Sequence, residues 1–412
     1  MSTKFNRNLY LLLGGQLVSQ LGDKFYALAL AYWVLQTTKS SAMMGILLFF
    51  SMAPSVLVGF VSGSFVDRFN RKTILIVSDI FRGIVISAVA VIFYIGTLNL
   101  GIIITAEILL SISSAFFNPA VSAVIPQIVD KDNIARANAK SQLIGGLTLI
   151  LGPALGGSSV AYLGYGFAFI VNALSFMASA VFEIFLNIDS DQRELVRREK
   201  LKENIGSGFK YIFNKKKILI IIFIVAIIHF FVGSIQVVIP VFANSAGGNG
   251  AVNQGYIQML FGIGVVLTAL ILNIAKINDK EDKIMFRGIF AIGILFILFS
   301  ILGLSGISSK LPLFLAFSSF SSAIIVISTC YQVILQKNVE KHISGRVFAI
   351  VGSVGNFSLP LAYLVFGFIL GTFNVFQVLL FCGICAILAC IVLYCLFNNK
   401  KSEEPEALEN FY

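Results

Sequence analysis

Twelve long apolar runs follow one another along the chain, separated mostly by very short polar gaps. They cover residues 8–36, 41–66, 73–96, 99–128, 138–163 and 165–187, then 218–243, 251–276, 284–306, 311–336, 345–371 and 373–398. A membrane-spanning helix needs about 20 mainly apolar residues, and each run is long enough. Open strands cannot span lipid, and the runs are far too long for barrel strands. The pattern therefore predicts an all-α integral membrane protein with twelve transmembrane helices. One long polar connection, 188–217, divides them six and six. The expected organisation is a first six-helix bundle (1–187), a cytoplasmic linker (188–217), a second bundle (218–398) and a cytoplasmic tail (399–412). Lys4 and Arg7 precede the first run, which is too long for a signal-peptide core and shows no clear cleavage site.

Composition agrees with this pattern. Of 412 residues, 58% are hydrophobic and 12% charged, and the mean hydropathy is +0.92. Soluble domains carry roughly a quarter of their residues as charges, so too little polar surface exists here to cover a water-soluble globule. The formal charge of +10 does not indicate nucleic acid, because the basic residues sit in short loops and form no single stripe with interleaved aromatics. Their distribution follows the positive-inside rule. Odd-to-even loops hold only Lys39 and Lys310, whereas Arg68, Arg71, Lys72, Arg136, Lys280, Lys283 and Lys337 lie in even-to-odd loops. Both termini are accordingly expected in the cytoplasm. The linker holds Arg193, Arg197, Arg198, Lys200, Lys202 and Lys215 to Lys217 with interspersed acids, which reads as an amphipathic helix skimming the membrane.

The halves repeat. Gln127 opens QIVDKDNIARANAKSQLIGGLTLILGPALGG, and Gln336 opens QKNVEKHISGRVFAIVGSVGNFSLPLAYLVFG. Each has a charged loop, an early Arg (Arg136, Arg346) and a Pro (Pro153, Pro360) followed by Gly. Duplicated halves are a transporter architecture.

Charges inside the runs come next, since each costs roughly 2.5–3.5 kcal/mol at a helix centre on insertion scales. Gln16, Ser19, Gln20, Asp23 and Tyr26 fall within one arc of the first span at about 100° per residue. Such a stripe is expected to face a cavity. A carboxyl that can exchange its charge for a proton suits a proton carrier; Asp23 otherwise locks helices through a salt bridge. Lys24 points about 100° away from it. Glu107 in span four is the second candidate, as a cavity group or a structural partner. Asp79 and Arg82 are i,i+3 on one helix face and are expected to pair with each other or with the loop after span two. Glu183 is expected to snorkel or to pair with that loop. His229, in span seven, reads as hydrogen-bonded packing or as a titrating group. Cys330, Cys382, Cys385, Cys390 and Cys395 lie in apolar stretches and imply no disulfide framework; the Cys382–Cys385 pair lacks neighbouring His or carboxylate.

Two motifs carry a resemblance. Gly63-Ser-Phe-Val-Asp67-Arg68-Phe-Asn-Arg71-Lys72, after the second span, resembles the signature loop of the major facilitator superfamily. The resemblance implies a cytoplasmic gate involving these residues, joined by Asp79, Arg82 and Arg346. Gly152-Pro153-Ala-Leu-Gly156-Gly157 resembles the end of that superfamily's antiporter motif, with Thr148 where the full motif has an earlier Gly. LGDKFYALALAYWVLQTTKSSA, FKYIFNKKKIL and GRVFAIVGSVGNFSLPLA resemble its macrolide-efflux and siderophore-export branch. This implies spans one, four, seven and ten around a cavity. Gln236, Tyr331 and Gln332 are then polar lining, and Phe25, Tyr26, Trp33 and Phe230 an aromatic surface.

No GxxxxGK[ST], HExxH or GxSxG occurs, so neither direct ATP use nor a hydrolase site is expected. The expected function is efflux of a small amphipathic or cationic molecule, such as a macrolide, by proton antiport. No cofactor beyond a proton gradient, no metal site and no nucleic acid are expected. The partners are substrate, protons and the lipid bilayer, and the protein is expected to be a monomer in the plasma or inner membrane. Alternatives are export of a siderophore, a lysophospholipid or a divalent metal, since the LGDK segment also resembles ferroportin-type exporters, with Asp23 and His229 then as ligands. A non-transporting sensor or assembly protein is the alternative of another class.

Overall fold

The computed structural model describes residues 3–66, 68–188, 210–274, 280–304, 310–340 and 343–398. The first four helices are α1 (Thr3–Thr38), α2 (Ser41–Val66), α3 (Arg71–Ile95) and α4 (Leu100–Ile128). The stretch Ile134–Ile184 is broken at Gly164 (φ 82, ψ 176) into α5 (134–163) and α6 (165–184). That backbone conformation is essentially restricted to glycine, so two long spans can meet there with no intervening loop. The remaining helices are α7 (Lys216–Ser245), α8 (Gly250–Ile274), α9 (Glu281–Leu304), α10 (Lys310–Asn338), α11 (Ser344–Thr372) and α12 (Val375–Asn398). No strand occurs among the described residues. The amphipathic-helix expectation for the linker falls mostly on residues outside those described; residues 210–214 form a helical turn. The tail 399–412 also lies outside them.

Ten helices are long and apolar enough to cross a membrane by length and composition, with Ile134–Ile184 counted once. α1 is not among them. It is 36 residues long, and its polar stripe keeps it below the hydropathy of the others. The first run is therefore a span whose polar positions need protein rather than lipid around them.

Helix ends are closed by local chemistry. Asn70 caps α3, its Oδ1 accepting from Lys72 N at 3.0 Å and Thr73 N at 3.4 Å. Asn99 caps α4, accepting from Ile102 N at 3.0 Å. Such caps satisfy N–H groups that have no intrahelical acceptor. Pro54 interrupts α2, and the next backbone N–H, Ser55, donates to Ser111 Oγ of α4 at 3.0 Å. A neighbouring hydroxyl thus serves backbone beside a proline.

Two compact units divide the chain. One comprises Met1–Arg197 with Ile239–Gly262, and the other Arg198–Val238 with Ile263–Tyr412. In the first, α1 packs along α5 and α6, α3 on α4 and α6, and α2 on α4. The end of α7 and the first half of α8 join this unit. Gln36 Nε2 donates to Asn244 Oδ1 at 2.7 Å, and Tyr32 Oη donates to the same oxygen at 3.3 Å. In the second unit, α9 packs on α10 and α12. Its phenylalanines interlock: Phe296 and Phe320 rings are 4.7 Å apart, and Phe299 and Phe317 rings 5.2 Å. Lys337 Nζ, at the end of α10, meets Glu281 Oε1 at the start of α9 at 2.7 Å. Tyr211 secures the approach to α7, its hydroxyl donating to Glu340 Oε1 at 3.4 Å.

The Gly152–Gly157 motif is a double-sided contact. Gly152 and Gly156 face α1: a Cβ on Gly152 would lie 2.5 Å from Lys24 Cβ, and one on Gly156 3.2 Å from Phe25 Cα. Gly157 faces α8, where a Cβ would lie 2.5 Å from Ala251 O and 3.1 Å from Gly255 Cα. A Cβ on Gly255 would in turn lie 2.5 Å from Pro153 O. Small residues let backbones approach this closely.

Gly157→Val should therefore destabilise the protein by about 1–3 kcal/mol through overpacking against backbone. Gly145, also on α5, has nothing within 4 Å of an added Cβ, so Gly145→Ala should leave stability unchanged or slightly raised. Thermal unfolding in detergent compares the two; equal loss in both would contradict the contact.

Candidate functional site

The first unit buries two apolar clusters. One gathers Trp33, Met44, Ile86, Ile103 and Phe169. The other gathers Leu12, Leu75, Phe117, Val124 and Leu186. Between them, α1, α3, α4 and α6 each contribute small or polar residues to a belt. Gly15, Gln16, Ser19, Gly22 and Asp23 come from α1, and Ser78, Asp79 and Arg82 from α3. Ser111 and Ser113 come from α4, and Asn172, Ser175, Ser179 and Glu183 from α6.

Arg82 is the cation of this belt. Its Nη2 meets Asp79 Oδ1 at 2.7 Å, with both side chains almost fully buried. Its Nε donates to Ser78 O at 3.3 Å. The guanidinium carbon lies 4.0 Å from the Phe117 ring centroid and 4.8 Å from that of Phe176. Aromatic faces attract a cation, more so when it is desolvated. The i,i+3 pair expected from the sequence thus forms inside the bundle. Glu183 does not snorkel: it is 2% exposed and faces Asp79 and Arg82. Its place in the last turn of α6 leaves it covered because α3 packs across that face.

Asp23 faces the same group. Arg82 and Lys24 are the cations that face it, and the Asn172 side chain lies beside it. Gly22 permits this approach: a Cβ there would lie 2.7 Å from Ser175 Cβ and 2.8 Å from Asn172 Oδ1. The Lys24 stem packs on Gly152 of α5. The rest of the α1 stripe is engaged by α5. Ser141 Oγ donates to Gln16 Oε1 at 3.3 Å, and Thr148 Oγ lies 3.2 Å from Gln20 Oε1. The antiporter-motif departure at Thr148 consequently has a partner: a hydroxyl replaces a small residue and reaches across to Gln20.

Glu107 and Tyr26 form the other end of the site. They are 7% and 4% exposed, and the Tyr26 hydroxyl faces the Glu107 carboxylate. Neither Tyr26 Oη nor Glu107 Oε1 has a hydrogen bond of good geometry. Among the described residues no cation pairs with Glu107. The Tyr26 ring packs edge-on against Phe169, 5.6 Å between centroids.

The loop motif is placed in part. Asp67 lies outside the described residues. Gly63 is in the last turn of α2 and Arg68 is exposed. Arg71 Nη1 donates to Ala123 O of α4 at 3.2 Å, and Lys72 Nζ donates to Ile184 O, the last residue of α6, at 2.7 Å. Lys72 therefore sits at the C-terminal carbonyl of α6, where the dipole favours it, and Arg71 reaches α4 more than a turn before its end. Arg346 is half-buried in the first turn of α11.

His229, Gln236, Tyr331 and Gln332 belong to the second unit, and the belt is built without them. His229 Nδ1 is 2.8 Å from Val225 O one turn back, and its ring packs over Gly355 of α11. Gln236 and Tyr331 are half-buried and Gln332 is exposed. No group of three or more His, Cys, Asp or Glu suited to a metal ion occurs among the described residues. Sequence reasoning did not single out Asn172, Ser175 or Ser179. Their spacing with Glu183, three then four then four residues, is a one-face helical stripe and was the available signal.

The Major Facilitator Superfamily profile matches residues 12–362, and the chain belongs to that family. It is a multi-pass membrane transporter and not an enzyme. It is 29% identical to the MFS-type transporter YfiS of Bacillus subtilis (strain 168), over 98% of this chain and 95% of that one. It is 20% identical to macrolide efflux protein A of Streptococcus pyogenes, over 95% and 96%. Among solved structures, the D323A mutant of nucleoside transporter NupG superposes with a TM-score of 0.76 at 13% identity, covering 96% of this chain and 99% of that one. This last likeness is one of fold.

Breaking the buried pair from one side should be costly. Arg82→Met leaves Asp79 uncompensated and should cost about 3–5 kcal/mol, whereas replacing both partners with apolar residues, Arg82→Met with Asp79→Leu, should recover most of it. Thermal unfolding of the two variants in detergent measures this; a double variant as unstable as the single one would count against the pairing.

Proposed function

We propose that this transporter exports a small amphipathic or cationic molecule, of the drug or antibiotic class, by proton antiport with alternating access. The observation that carries the reading is Glu107, a buried carboxylate with a tyrosine hydroxyl before it and no described cation to neutralise it. An ionised group in that setting is expensive, so it calls for a proton or a cationic ligand. Asp23, in the adjoining belt, is a second carboxylate, set apart from Glu107 by the Arg82 and Lys24 cations that face it. The relation to macrolide efflux protein A supports the direction and the class of cargo.

In this reading, a proton arriving from outside neutralises Asp23 or Glu107. The site then loses its attraction for a cationic substrate, which leaves outward. Release of the proton toward the cytoplasm restores the negative charge and the affinity for the next substrate. Both termini lie in the cytoplasm, consistent with the distribution of Lys and Arg. The half-buried Phe25 ring supplies apolar area to an amphipathic cargo, whereas Tyr26 and Trp33 are packed into the bundle core.

Moving one charge through 100 mV is worth about 2.3 kcal/mol, roughly a fiftyfold concentration ratio. Reconstituted wild-type protein should build a gradient of a cationic dye or a macrolide when a pH gradient is imposed. Glu107→Gln and Asp23→Asn should each reduce that accumulation and weaken the hold on a cationic substrate. Accumulation undiminished in both variants would remove the proton role of these residues, and accumulation that survives collapse of the pH gradient would remove antiport. His229→Ala should leave drug flux unchanged, since its ring is engaged by the Val225 carbonyl. A divalent-metal flux lost on the same substitution would favour a metal cargo instead.

A further inference from the structure

Glu183 is buried in the last turn of α6, and nothing in the transport cycle above uses it. Its Oε2 has no hydrogen-bond partner. It faces Asp79, whose Oδ1 meets the Arg82 guanidinium at 2.7 Å and whose Oδ2 has no hydrogen bond of good geometry. Ser179 Oγ, one turn before Glu183, is also buried and turns toward Asp79, without a hydrogen bond of good geometry.

The remaining surroundings are specific. From α1, Asp23 reaches Asp79 and Arg82, but it has Lys24 as its own neighbour. From α3, Lys72 is engaged by the Ile184 carbonyl. From α4, the neighbour is the Phe117 ring, stacked on Arg82; Glu107 of that helix faces Tyr26 instead. Among the described residues, Arg82 is thus the cation that faces both Asp79 and Glu183.

Ionised carboxylates only accept hydrogen bonds. Two of them beside one guanidinium leave a negative charge uncompensated and several acceptors facing one another. One proton removes both defects. It converts a carboxyl oxygen into a donor for its neighbour, and it brings the Asp79–Arg82–Glu183 group to zero net charge. Carboxyl pairs that share a proton because both cannot ionise at close range are a known arrangement.

We propose that Asp79 and Glu183 share one proton, forming a second proton-binding group on the α3–α6 face, separate from Asp23 and Glu107. The inference does not depend on the cargo or on antiport. Where antiport holds, the pair supplies a station for the proton near the ends of α3 and α6.

Infrared spectroscopy of the purified full-length protein in lipid nanodiscs at neutral pH tests it, through the C=O stretch of protonated carboxyl groups. The wild type should show such a band, and a variant carrying both Asp23→Asn and Glu107→Gln should keep a component of it. Glu183→Gln, which retains a hydrogen-bond donor, should lose that component. Asp79→Asn should lose it too, although Glu183 is still present, because Glu183 then ionises against Arg82. This second variant decides the matter if Glu183→Gln does not assemble. Absence of the band in the wild type, or its persistence at full strength in Glu183→Gln or Asp79→Asn, overturns the proposal. Failure of proton-driven flux with these infrared results intact would tell against antiport alone.

Discussion

A guanidinium inside an apolar helix bundle must be given, by protein, what water would have supplied. Arg82 receives an anion from Asp79, a carbonyl from Ser78 and two aromatic faces from Phe117 and Phe176. Each of these fixes a neighbour. Ser78 and Asp79 set the face of α3 that turns inward, Phe117 brings in α4, and Phe176 brings in α6. Desolvating the pair costs free energy that hydrophobic residues of the same volume would not. Retaining it at the meeting point of three helices is most simply understood as a functional commitment. The polar belt is the structural form of that commitment, with apolar clusters sealing it above and below.

Close helix approach is the second constraint, and it acts through α5. One face of its motif receives α1, through Gly152 and Gly156, and the other receives the first half of α8, through Gly157. Thr148 lies one turn before Gly152, where the antiporter motif has another glycine. It does not merely fill space, because its hydroxyl reaches Gln20. The departure from the motif thus exchanges a tighter backbone contact for a polar tie to the stripe that carries Asp23. Bulk next to backbone and hydrogen bonding next to charge are tuned within three turns of one helix.

Much of this was legible before any coordinates. Span positions followed from apolar run length, because lipid leaves the backbone few options. The Asp79–Arg82 pair followed from i,i+3 geometry. Glu107 stood out because an uncompensated acid in a span is costly. What could not be read was which helix each polar stripe would meet. Gln16 and Gln20 share an arc with Asp23, yet they are taken up by Ser141 and Thr148 of α5 while Asp23 turns to α6 and Arg82. Periodicity places residues on a face and says nothing of the opposing face. Of the two readings of Glu183, snorkelling fails for the same reason: nearness to a helix end suggests access to water, but α3 covers it. Asn244 also escaped notice, since its partners Tyr32 and Gln36 are about two hundred residues away in sequence.

The low apolarity of α1 has a consequence for how the protein is made. α1 is synthesised before α5 and α6, and it carries Gln16, Gln20, Asp23 and Lys24 into the bilayer. The groups that later accommodate them, Ser141, Thr148, Gly152 and Asn172, are more than a hundred residues from being synthesised. Asp and Lys each add about 2.5–3.5 kcal/mol to insertion at a helix centre, so α1 alone is a poor substrate for release into lipid. The contacts from α5 and α6 offset part of that cost, so α1 is better accommodated in the bundle than alone. A helix made before its partners is in this sense settled after them, and substitutions along α5 are positioned to act on biogenesis as well as on transport.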